Sequence, residues 1–162
     1  MTLDTVRERM ARFLRDQGLD AVCAWPDAAR SRRRGAVAAV SLKTCEDDLS
    51  GFWNYLGEWW NPTTNRWEER YGRRVKLTFG LDLYAIKAAD AQAAFDTLAR
   101  ALHQKGPEGL HILSLSGGDL AYEDEWKLFR CPAEALCQAF LYAAPSDKEG
   151  HFTDFEVRGV RA

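Results

Sequence analysis

The sequence predicts an α+β fold: a mostly antiparallel sheet with two helices packed on one face and a protruding β-hairpin. Three observations carry that expectation. Two segments place apolar residues at helical spacing, several others alternate strictly, and one pair of aromatic-rich segments flanks a turn. The 162 residues suit a single domain over 1–162. A domain of that size buries roughly two-thirds of its unfolded surface without a metal or disulfide staple. Hydrophobic residues at 46% and a net charge of only −2 exclude a disordered chain, and there is no basic excess of the kind a nucleic-acid binder needs.

The first helix begins near Thr2 or Asp4, either of which can cap it. Leu3, Val6, Met10, Phe13 and Leu14 share its apolar face, and Gly18 follows its end. Residues 21–25 read as a short strand stopped by Pro26. An arginine-rich loop over 27–35 follows, then a second strand over 36–44 and the acidic cluster Glu46-Asp47-Asp48.

Residues 52–71 read FWNYLGEWW-NPTTN-RWEERY, two aromatic segments joined by turn residues, and predict a hairpin. Five of the six tryptophans lie in the first half of the chain, four of them (Trp53, Trp59, Trp60, Trp67) within this segment, where an isolated pair of strands would be marginal in water. The hairpin therefore lies either on its own core or on a neighbouring molecule. From 73 to 86, Val75, Leu77, Phe79, Leu81 and Leu83 alternate with Lys76, Thr78, Asp82 and Tyr84, a long half-buried strand.

Residues 88–104 return to helical period, with Ala91, Ala94, Phe95, Leu98 and Leu102 on one face and Gly106-Pro107 as the stop. A strand over 110–115, a Gly117-Gly118 hairpin turn and a return strand from 120 come next. Residues 128–143 fit a helix or a strand; the alternation of Phe129, Cys131, Ala133, Ala135 and Cys137 favours strand, with Pro132 near its start or at an edge. The polar tail from 145 carries Phe152, Phe155 and Val157, spaced to add a strand to a neighbouring sheet.

Signals for chemistry are sparse. No phosphate-binding loop, dinucleotide fingerprint, nucleophile elbow or zinc-protease motif occurs. Cys23, Cys45, Cys131 and Cys137 form no CxxC pair and lack ligand-like spacing to His103, His111 or His151, so the sequence predicts reduced, buried thiols and no metal or cofactor. The charged opening segment has no apolar core of a secretory leader, and no apolar run approaches the ~20 residues of a membrane span, so a cytosol-like compartment is expected. The run Arg30, Arg32, Arg33, Arg34 reads first as a solvated loop and second as a contact for passing nucleic acid.

The strings VKLTFGLDLYA, NPTTN-RW, AAFDTLARAL and FTDFEVRGV are similar to small proteins encoded in tail-assembly regions of prophages of Gram-positive bacteria. With the order of elements, they resemble the tail terminator (tail completion) family of long-tailed phages over nearly the whole chain. The resemblance implies a non-catalytic ring, usually a homohexamer, that caps the head-proximal end of the tail tube. Such a ring halts tube polymerisation, docks the head–tail connector protein and, in contractile tails, touches the sheath protein. It implies assembly in the bacterial host cytoplasm, a place in the virion neck, and DNA only in passing through the lumen. By position, the hairpin with Trp59, Trp60, Arg66, Trp67 and Tyr71 would be the arm reaching a neighbour or the tube. The loop with Arg32, Arg33 and Arg34 would face the lumen or the connector. The alternatives are a cytosolic tail-assembly chaperone and a small ligand-binding domain or enzyme.

Overall fold

The computed structural model describes residues 2–26, 34–48, 55–145 and 152–158. The fold is α+β, with helices α1 (Leu3–Asp16) and α2 (Ala88–Gln104) and strands β1 (Asp20–Val22), β2 (Val37–Asp48), β3 (Tyr55–Asn61), β4 (Arg66–Ala85), β5 (His111–Gly117), β6 (Ala121–Glu123), β7 (Leu128–Cys131), β8 (Ala133–Pro145) and β9 (Phe152–Arg158). All pairings are antiparallel except β1 with β2.

Strand β4 is the axis. On one side it pairs with β2, from Asp48 opposite Arg74 to Val37 opposite Tyr84. On the other it pairs first with β8, from Tyr142 opposite Gly72 to Glu134 opposite Gly80, and then with β7, from Cys131 opposite Leu83 to Phe129 opposite Ala85. Segment 128–145 is thus strand, as its alternation predicts, interrupted where Pro132 has no N–H to give the ladder. Its outer edge is lined in turn by β6, β5 and β9.

Period-two alternation sorts the β4 side chains. Val75, Leu77, Phe79, Leu81 and Leu83 are all buried and meet Ala38, Val40, Ala135, Cys137 and Ala139 from the flanking strands. Both helices lay their apolar stripes on this face: Val6, Met10, Ala11 and Leu14 from α1, and Ala91, Ala94, Leu98 and Leu102 from α2. Each fully buried leucine or phenylalanine there contributes roughly 1.5–3 kcal/mol. At the start of α1 the Thr2 hydroxyl accepts the Thr5 N–H at 3.3 Å. At its end Gly18 N–H reaches Arg15 O and Leu19 N–H reaches Leu14 O, both at 3.0 Å, which seats Leu19 in the same core.

Five expectations need correction. Leu3 does not join the helix stripe: it lies in the first turn, ahead of the first buried residue Val6, and is 52% exposed. The acidic cluster Glu46-Asp47-Asp48 lies inside β2 rather than after it, because β4 continues alongside and supplies the pairing partners. The first strand is shorter than 21–25. The hairpin and the long strand from 73 are not separate, since β4 runs unbroken from Arg66 to Ala85. No hairpin turn forms at Gly117-Gly118, because β5 pairs with β8 and β6 with β7. Those glycines instead make room: a Cβ on Gly117 would lie 2.8 Å from the Phe95 ring, and one on Gly118 would lie 2.7 Å from Pro132.

The face away from the helices holds a second, smaller apolar cluster that the sequence pattern did not reveal. Trp25 stacks on Tyr84 with centroids 4.5 Å apart, and Trp126 meets both rings edge-on. Beside them Arg130 donates to Asp82 at 2.9 Å and to Glu123 at 3.4 Å, tying β4, β6 and β7 together.

Candidate functional site

The hairpin β3–β4 leaves the sheet at a defined level. Partners β8 and β2 reach β4 only as far as Gly72 and Arg74, and before that β4 is flanked by β3 alone. A root fixes it: Leu56 is 2% exposed against Phe140. The tip is closed by Asn61, whose side-chain oxygen accepts the Thr63 N–H at 2.9 Å, and by Asn65, which takes φ 52° as an asparagine tolerates.

Register divides the hairpin into two unlike faces. On one, the Arg70 guanidinium lies 3.8 Å over the Trp59 ring, and Glu68 accepts from Thr64 at 2.7 Å, Asn61 at 3.0 Å and Arg66 at 3.2 Å. Those bonds, Thr64 first and then Asn61 and Arg66, hold the Glu68 carboxyl below the usual glutamate range. This face is bonded within the chain through Glu68.

The other face carries Trp60 directly opposite Trp67, rings edge-to-face at 5.8 Å, with 43% and 64% of their surfaces exposed. Tyr55 and Tyr71 form a second edge-to-face pair at 5.6 Å nearer the root, and the Tyr71 hydroxyl donates to Glu69 at 2.5 Å. Glu58 and Glu69 stand opposite each other between the two aromatic pairs.

The expected interface residues therefore separate. Trp60, Trp67 and Tyr71 share the open face, whereas Trp59 and Arg66 belong to the bonded one. Arg34 is exposed and lines a shallow groove with Asp20 and Asp90. Arg32 and Arg33 lie outside the described residues. Phe155 and Phe152 fall in β9 opposite Ala143 and Pro145, so the tail adds a strand to the chain's own sheet. Sequence reasoning missed Glu58 and Glu69, since their opposition follows from the pairing register that the tip sets, which composition alone does not show.

The thiols do not resemble nucleophiles. Burial pushes Cys137 up to about 12. Burial first, then donation to Glu8 at 3.2 Å, pushes Cys23 up to about 11. Both shifts oppose the depressed pKa that a reactive thiolate needs. Cys131 is buried like Cys137, but Cys45 is exposed on β2, contrary to the expectation of four buried thiols. Among the described residues no group of three or more His, Cys, Asp or Glu is placed to hold a metal ion, and no helix is long and apolar enough to cross a membrane. No protein-family model matches the sequence, and comparison with curated proteins finds no match.

Proposed function

We propose that this chain is a structural tail-assembly protein that multimerises into a ring, hexameric as in the family its sequence resembles. The ring caps the head-proximal end of a phage tail tube, stops its polymerisation and presents a surface to the head–tail connector. The observation that carries this reading is the Trp60–Trp67 pair, held on a hairpin beyond the sheet and left open while the opposite face is internally bonded. Exposed tryptophans on a rooted arm are costly in a monomer and suited to the centre of a protein interface. No catalytic role is assigned: the thiols are raised in pKa rather than activated.

Electron microscopy of the purified protein, alone and mixed with tail tubes, tests the proposal. Rings of one size seated on one end of each tube are expected. A monomer that never binds tube ends defeats it. Binding to free tube subunits with absence from finished tails would point instead to an assembly chaperone.

A further inference from the structure

Glu58 and Glu69 face each other on the open side of the hairpin, beside Trp60 and Trp67. Like charges directly opposite across an antiparallel pair repel. Among the described residues no cation forms an ion pair with either carboxylate; Glu69 has the Tyr71 hydroxyl alone. The face thus combines an uncompensated anionic pair with two indole rings, both of which attract an arginine or lysine from outside.

A matching surface exists elsewhere on the molecule. Between the outer side of α1 and the turn after α2 lies a groove of about 790 Å³, with Phe13, Pro107 and Leu110 among its lining and Arg9, Arg12 and Lys105 around them. Its cations outnumber its two acids, Asp16 and Glu108. Arg9 donates to the Glu108 carbonyl at 3.1 Å and so fixes the turn that forms one wall. Among the described residues, the groove beside Arg34 carries the opposite balance, one arginine against Asp20 and Asp90.

We infer that the Trp60–Trp67 face of one copy seats in the Arg12–Lys105 groove of a second copy, with Glu58 and Glu69 meeting its cations. This assignment rests on the ring-forming reading above and gives it a donor and an acceptor surface. Packing two hairpins face to face would bring four carboxylates together, which disfavours a two-fold contact through this face. Donor and acceptor patches that differ make a head-to-tail contact, and such contacts close into rings when the rotation permits.

Charge reversal tests the pairing. Glu58→Lys with Glu69→Lys should raise the concentration needed for assembly on the order of tenfold or more, read by sedimentation velocity. Arg12→Glu with Lys105→Glu should do the same, with Arg9 left in place to hold the turn. All four substitutions together should restore the ring. Circular dichroism and a thermal melt establish that each variant is folded; an unfolded variant is replaced by its Glu→Gln or Arg→Gln counterpart, for which partial weakening is expected. A parent ring unaffected by either reversal, or a folded quadruple variant that does not recover, overturns the docking assignment alone. A parent chain that stays monomeric and caps no tubes overturns the assembly reading with it.

Discussion

Leu56 closes over Gly72 so tightly that a methyl group on Gly72 would lie 2.8 Å from Leu56 Cδ1. The carbonyl of Leu141 blocks the same space from β8. Gly72 is also the first β4 residue to pair with β8, so this crowded spot is where the arm joins the sheet. Gly72→Ala must push either the hairpin root or β8 aside. Overpacking of this kind costs about 1–3 kcal/mol. A urea titration should show a lower midpoint with an unchanged slope; an unchanged midpoint would mean that the root has more room than its packing implies.

Shortening the arm should leave the domain intact. Gly57 and Arg70 stand opposite each other, so replacing residues 58–69 by a two-residue Asn-Gly turn closes the hairpin at that level. Leu56 keeps its place on Phe140, and the sheet from Gly72 onward keeps all its partners. The far-ultraviolet spectrum and cooperative melt should persist while assembly is lost. A product that fails to fold would show the hairpin to be part of the core.

The bonds around Glu68 predict an acid response confined to the arm. Its pKa is depressed in the folded state, so the stabilisation it provides is complete above the unfolded value of 4.5 and fades as pH falls through the lower folded value. Nuclear magnetic resonance of the Asn61 side-chain amide should follow a transition with its midpoint below 4.5, and Glu68→Gln should abolish it. A midpoint at or above 4.5 would contradict the network.

The cysteines should separate by burial. At pH 8 an alkylating reagent should modify exposed Cys45 first and partly buried Cys23 more slowly. Cys137, fully buried with its thiol pushed up to about 12, should react only after unfolding in urea. Rapid modification of Cys137 in the native protein would show that β8 opens far more readily than its position between β4 and β5 suggests.

Much of this architecture was readable from spacing. Helix 88–104 and the inward side chains of β4 follow from local period, which a single chain segment displays by itself. The pairing of β5 with β8 rather than β6 was not readable, because glycines that make space for Phe95 and Pro132 look the same in sequence as glycines that make a turn. The hairpin was legible from its aromatic content and the NPTTN turn. Its division into a bonded and an open face was not, since that depends on which residues register places opposite Trp67 and Glu69. The Trp25–Tyr84–Trp126 cluster joins three distant parts of the chain and had no local signal.

The continuity of β4 has a mechanical consequence. Its 20 residues span roughly 66 Å of backbone, and the same peptide units that form the tip run on into the centre of the sheet. A load applied to the tip along the strand direction is carried as shear by the ladders on both sides of β4, which must slip together before the strand can move. Because β4 is unbroken where the arm joins the sheet, tension on Trp67 is transmitted straight into the centre of the sheet.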